Sequence, residues 1–290
     1  MAKVAIVTDS NCGIFEEEAK DMGVSVVPMP VHIDDRIFFE GVDIFPEQFY
    51  EKLLAGADVA TSQPAPGEVM SLWDRVLEHC DELVYIPMTA GLSSSCQTAI
   101  SLSREYKGRV QVVDNRRISV TQRSSVMDAL KLAEEGKTAA EIKQILEEEA
   151  LDACIYITVD NLKYLRKGGR VSGVEAVAGT MLNIKPVLEI YGEKLNAVGK
   201  VRGMKAARRE MIERVKQDLS GRLKKQYEAG EVSVVIAYSQ VSEEVLEDWK
   251  AEVLEEFRDE IAIHGEPLTL CIACHTGPGA LGVGAVRKYW

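Results

Sequence analysis

Short unbroken apolar runs, each followed by a polar turn and then by a stretch with helical spacing, recur through the first half of the chain. Residues 4–7 form the first run and end at Thr8-Asp9-Ser10, and residues 15–22 have helical spacing. Residues 24–30 form a second run, followed by helices over 43–54, with Pro46 near the start, and over 66–78. A strand over 83–87 then leads into a helix that runs from three serines to Tyr106, a strand over 110–113, and helices over 119–135 and 139–150. Apolar strands alternating with amphipathic helices predict a mainly parallel sheet covered on both faces, a three-layer α/β/α domain over residues 1–152.

The pattern changes after that point. Residues 154–159, 187–190, 195–198, 232–238, 261–264 and 268–274 read as strands, and about 174–183, 203–219, 242–256 and 279–287 as helices. Tyr191-Gly192-Glu193-Lys194 is a hairpin-type turn, so the second sheet is expected to be mixed, in a two-layer α/β domain over 153–290.

Candidate chemistry gathers where strands end. The strand over 83–87 passes through Gly91 into Ser93-Ser94-Ser95, which stand at a helix start, where backbone N–H groups and the positive end of the dipole favour an anion. One of those hydroxyls is expected to cap the helix, which leaves others for a ligand. Thr61 and Ser62 likewise precede the helix that begins at Pro66. Asp9 and Ser10 reach the same sheet edge, where Asp9 either orients the other groups or caps the turn after it. In the second half His275 and Thr276 sit at the apparent end of a strand in a Gly-Pro-Gly turn, and Arg202 ends a hairpin strand. Residues 174–184 (VEAVAGTMLNI) read as either a buried core helix or the dry wall of an apolar tunnel.

The sequence has no phosphate loop and no glycine-rich dinucleotide fingerprint after a strand, so a carboxylate is a better match than a nucleotide. Gly91-Leu92-Ser93-Ser94-Ser95 is not a nucleophile elbow. At 290 residues and 46% hydrophobic residues the chain can bury two cores. Its formal charge of −12 disfavours nucleic acid and anionic membrane surfaces as partners. The six cysteines lie mostly in apolar runs, as suits a reducing cytoplasm, and Cys271-x-x-Cys274 has no second pair to complete a zinc site. No apolar window approaches a membrane span.

Taken in order, Val7-Thr8-Asp9-Ser10, Thr61-Ser62-Gln63-Pro64, Gly91-Leu92-Ser93-Ser94-Ser95, LKYLRKGGR from Leu162, Lys185-Pro186, Lys200-Val201-Arg202 and His275-Thr276-Gly277-Pro278-Gly279 run from end to end of the chain. In that order and spacing the chain resembles the DegV family of fatty-acid-binding proteins. The resemblance implies a carrier that is not itself an enzyme, without catalytic residue, cofactor or metal. It would bury one long-chain fatty acid between its domains and present it to a separate ATP-dependent fatty acid kinase. The acyl-phosphate would serve phospholipid metabolism or a regulatory pool. On the matching positions the resemblance places the carboxylate at Thr61 and Ser93, with Ser94 or neighbouring amides helping and His275 and Arg202 close by. Arg170, in what reads as an exposed loop, is assigned to the partner surface. The competing expectation is an enzyme similar to dihydroxyacetone kinase subunits, with a small carbonyl substrate held covalently on His275.

Overall fold

Successive residues of the first strand face opposite ways, and two separate cores form on the two sides. The computed structural model describes residues 3–172, 183–192, 195–257 and 263–289. The expected helix over 174–183 lies outside them apart from Asn183, as do Glu193 and Lys194 of the expected hairpin turn. The chain divides into one unit made of Met1–Leu151, Thr269–Cys271 and Tyr289–Trp290, and a second made of Asp152–Leu268 and Ile272–Lys288.

In the first unit the chain runs through β1 (Val4–Asp9), α1 (Glu16–Met22), β2 (Val24–Val27), β3 (Pro30–Ile33), β4 (Arg36–Phe39), α2 (Pro46–Leu54) and β5 (Val59–Thr61). It continues through α3 (Pro66–Leu77), β6 (Glu82–Ile86), α4 (Ser95–Ser103), β7 (Val110–Val112), α5 (Ser119–Glu134) and α6 (Ala139–Glu148). Four strands form a parallel sheet in the order β2-β1-β6-β7. Ile6, Val84 and Ile86 pack on one face with Ala19, Val126, Leu132, Ile142 and Leu146 from α1, α5 and α6. Val7, Leu83 and Tyr85 pack on the other with Val69 and Trp73 of α3 and Cys96 and Ala99 of α4. These are the expected three layers.

A second, antiparallel sheet of order β4-β3-β5 belongs to the same unit, where the hydropathy pattern suggested only one strand over 24–30. Pro28 has no N–H to extend the ladder beyond Val27, and the Met29 N–H donates to Ser10 Oγ (3.0 Å), so the chain leaves the parallel sheet there. It reverses again at Asp34, whose φ of 52° is left-handed, so that Ile33 pairs with Arg36. β4 ends this sheet with Arg36 and Ile37 exposed.

The second unit holds β8 (Ala153–Thr158), α7 (Leu162–Gly168), β9 (Val171–Ser172), β10 (Ile184–Ile190), β11 (Leu195–Arg202), α8 (Met204–Ser220), α9 (Lys224–Glu228), β12 (Val232–Tyr238), α10 (Glu243–Phe257) and β13 (Ile263–Pro267). After α11 (Leu270–Thr276), which starts in the first unit, β14 (Leu281–Arg287) completes it. Its seven strands form a mixed sheet of order β13-β12-β14-β8-β10-β11-β9. Tyr156, Val234, Ile236 and Val283 pack there on Met211 and Val215 of α8 and Trp249 and Val253 of α10.

Two expectations near the C-terminus are overturned, and in opposite senses. Residues 268–274 are not a strand: Leu270–Thr276 is helical, so His275 lies in the last turn of a helix. Residues 279–287 are not a helix: Leu281–Arg287 is a strand paired with both β12 and β8. Short apolar runs do not separate the two states by periodicity. The glycines decide the second case, because a Cβ at Gly284 would lie 2.2 Å from the Cys154 carbonyl oxygen. They weaken a helix and permit close strand packing. Of the stretch Arg166–Arg170, read as an exposed loop, the first three residues are the end of the helix α7, which Asn161 caps by accepting from the Lys163 N–H (2.9 Å) and which Gly169 ends at φ 64°. Among the described residues no helix is long and apolar enough to cross a membrane.

Glu40 accepts the Leu270 N–H at the start of α11 (2.6 Å), and burial pushes its carboxyl up to about 8. A carboxyl whose value is raised on folding costs stability above its unfolded value near 4.5, increasingly so as pH approaches 8. Glu40→Gln keeps an acceptor without the charge. It should therefore raise stability at pH 8 by more than about 1 kcal/mol and change little at pH 4, as thermal melts at the two pH values would show.

Candidate functional site

At the carboxyl edge of the parallel sheet, three turns are tied together by side chains. Asp9 ends β1 fully buried, where its carboxyl accepts from the N–H groups of Asn11 (3.0 Å) and Met88 (2.8 Å) and from Gln122 Nε2 (3.1 Å). Burial raises its pKa while these bonds pull it back down. Asp9 thus caps its own turn and also anchors the exit of β6. The Ser10 hydroxyl is buried and its oxygen accepts the Met29 N–H. Gly91 N–H donates to Thr89 Oγ1 (3.2 Å), which shapes the approach to α4.

The three serines have three different positions. Ser93, one residue ahead of the N-cap Ser94, accepts the Ser95 N–H on its Oγ (3.1 Å) and keeps its own O–H proton to donate. Ser94 is exposed and donates to Gln63 Oε1 (3.2 Å), which also accepts from Thr98 (3.0 Å). Gln63 thereby fastens the turn after Thr61 to the first turn of α4. Ser95 is buried. Thr61 is half-buried as the last residue of β5, and the exposed Ser62 shares a hydrogen bond with His32 Nε2 (2.9 Å). Thr61, Ser62, Gly91, Ser93, Ser94, Asp9 and Ser10 thus lie in or beside turns of one unit linked through Gln63 and Met88.

The second unit gathers the remaining motifs around α7. Asp160, just past β8, takes Lys185 Nζ on its carboxylate (2.6 Å) and its backbone oxygen (2.8 Å). A Cβ at Gly279 would lie 2.7 Å from the Asp160 Cβ, and one at Gly277 (φ 69°) 2.1 Å from the Tyr164 ring. A Cβ at Gly168 would lie 2.3 Å from His275 Nδ1. Arg170 donates from Nη1 to the Gly168 oxygen (2.6 Å). Burial, with Arg170 nearby, pushes the His275 imidazole down to about 4, so it is neutral at pH 7. Arg170 was expected only at a partner surface; the structure puts it within electrostatic reach of His275. The Thr276 hydroxyl is buried and donates to the Ile272 oxygen (3.4 Å). Arg202 is exposed at the end of β11, opposite Ile184. Cys271 and Cys274 are buried thiols in α11, and among the described residues no cluster of acids, histidines or cysteines could hold a metal.

The family model for the DegV family, described as an uncharacterised protein, matches residues 3–288. This chain belongs to the DegV family. A DegV domain-containing protein of Deinococcus radiodurans is 32% identical over 281 residues, which cover 97% of each chain. Among solved structures, the DegV chain superposes on a DegV family protein from Thermus thermophilus, described for its fatty acid binding, with TM-score 0.87, 30% identity and coverage of 98% and 99%. A fatty-acid-binding DegV family protein from Streptococcus agalactiae gives 0.86 at 27% identity, covering 99% and 100%. A stearic acid-binding protein from Eubacterium ventriosum gives 0.86 at 25%, covering 100% and 99%.

Two residues of the DegV chain, one in each unit, have no counterpart in the motif reading. Gln122, fully buried in α5, donates from Nε2 to Thr8 Oγ1 (3.2 Å), Asp9 and the Ile86 oxygen (3.2 Å). Its only sequence signal is the polar stretch from Ser119 to Ser125 inside a helix that packs on the core. Asp160 is the other, since the partner of Lys185 lies 25 positions away in sequence.

The lowered His275 value has a definite sign. The unfolded chain binds a proton that the folded chain refuses, so stability present above pH 6.5 is lost as pH falls toward 4. Replacing the imidazole by an amide, His275→Gln, removes that loss. Between pH 7 and 5 the wild type should lose about 1 to 2 kcal/mol more than the variant in urea titrations.

Proposed function

We propose that this chain binds one long-chain fatty acid, sets its carboxylate on the hydroxyl-lined edge of the first unit, and presents it to a separate ATP-dependent kinase. The observation that carries the reading is the Ser93 hydroxyl at the start of α4. Its oxygen is occupied by the Ser95 N–H and its proton remains to be donated. With the first-turn N–H groups of the helix and the Thr61 turn fastened by Gln63, it forms a neutral donor set suited to a carboxylate. The fatty acids named for the relatives from Thermus, Streptococcus and Eubacterium support the ligand class. Affinity would come from the tail: about 16 carbons at roughly 0.8 kcal/mol per CH₂ give on the order of 12 kcal/mol gross, before ordering costs. The kinase half of the reading is supported by the lack of any phosphate loop in the sequence. Arg202 and the neutral His275 of the second unit are the groups assigned to the head group, and Arg170 to the partner surface.

One observation favours a different chemistry. A neutral imidazole is the form that attacks a carbonyl, and His275 is neutral at pH 7. Denaturing extraction of the purified protein followed by mass spectrometry separates the two readings. A near-stoichiometric fatty acid is expected, with Thr61→Ala/Ser93→Ala weakening its binding by about tenfold or more. An empty extract with a carbonyl adduct on the His275 peptide would replace the carrier by a histidine enzyme. In a coupled assay with a fatty acid kinase, Arg170→Glu should lower acyl-phosphate formation about tenfold while fatty acid binding stays intact. Loss of both would assign Arg170 to folding.

A further inference from the structure

Behind the first turn of α4, on the face of the sheet that α3 covers, lies a small space of about 10 Å³ lined by Gln63, Val69, Tyr85, Ser95, Thr98 and Leu102, among others. Two hydroxyls on its wall have no hydrogen-bond partner among the described residues: Tyr85 Oη and Ser95 Oγ, on residues 1% and 5% exposed. Left dry, each would forfeit the hydrogen bonds it makes to water in the unfolded chain. A third hydroxyl on the wall, Thr98 Oγ1, gives its proton to Gln63 and keeps lone pairs that can accept.

We propose that this space holds one ordered water, which joins Tyr85 to Ser95 and Thr98 and fixes the first turn of α4, so that Ser93 is aimed at the ligand. The size admits a single water and nothing larger, and neutral hydroxyl partners match a neutral guest. The Tyr85 phenol keeps its proton, since burial pushes it well above its ordinary range, so it serves as a donor. Thr98 accepts, and Ser95 can take either role. The link to the ligand is direct, because the Ser95 N–H is the group that Ser93 Oγ accepts. A shift of Ser95 moves the N–H that Ser93 Oγ accepts, and with it Ser93, whose proton is left to donate. The opposite wall responds in the same way, since Gln63 is held by Thr98 and by Ser94.

The water itself stands on the cavity alone; its effect on binding rests on the fatty acid reading. A crystal structure at a resolution that shows ordered waters should contain density within hydrogen-bond distance of both Tyr85 Oη and Ser95 Oγ, and a dry cavity would overturn the proposal. Tyr85→Phe and Ser95→Ala should each weaken palmitate binding about fivefold, and the double variant no further, because both remove the same bridge. Losses that multiply in the double variant, or unchanged affinity in single variants that melt at lower temperature, would overturn the positioning role. A wild-type protein that takes up no palmitate would instead defeat the fatty acid reading, with the density still deciding the water.

Discussion

The first unit depends on one buried carboxyl. Asp9 stands at the end of an inner strand, where two backbone N–H groups and the Gln122 side-chain amide donate to it. Burying a carboxylate is costly unless such donors replace its water, and here they come from three separate segments: the turn after β1, the exit of β6, and α5. The same carboxyl therefore sets the spacing of the two strand ends from which the ligand turns grow. Gln122 extends that hold to the Ile86 oxygen and the Thr8 hydroxyl, so the last rungs of β1 and β6 stay joined where the ladder ends.

The two units solve different problems of polarity. The edge of the first is built from hydroxyls and amides that bond to one another in sequence, Ser95 to Ser93 and Ser94 and Thr98 to Gln63. In the second, charge is present but already engaged: Lys185 with Asp160, Arg170 with the Gly168 oxygen. His275 contributes a ring without charge. The glycines at 168, 277 and 279 belong to this arrangement, because at each of them a side chain would strike Tyr164, Asp160 or His275 itself.

The parallel half was legible because its strands are buried on both faces and so appear as unbroken apolar runs, with helix starts marked by Pro46 and Pro66. The short strands β3 to β5 were not, since three or four residues carry too little periodicity to stand out from a loop. The exchange of helix and strand beyond residue 268 has the same root: Leu270–Thr276 is one apolar turn pair, and the small residues of Leu281–Arg287 mimic a tightly packed helix until their neighbours are known. At the site, hydroxyls in strand-end turns were visible because position and chemistry coincide in sequence. The roles of Gln122, Gly168 and Asp160 were not, because each is defined by a partner distant in sequence.

The outer rim of β4 has a consequence for the protein in a crowded solution. Such a rim offers unpaired backbone groups to any passing strand, and Ile37, 55% exposed, makes it sticky. Arg36 lies over the Phe38 ring at 4.9 Å, which covers apolar surface with a charge, and Asp34 and Asp35 stand at the adjoining turn. Two copies approaching rim to rim must bring these charges together while each carries a formal −12. That guard is electrostatic, and salt thins it. Colloidal stability in this chain is therefore a function of ionic strength, set in part by the rim of β4.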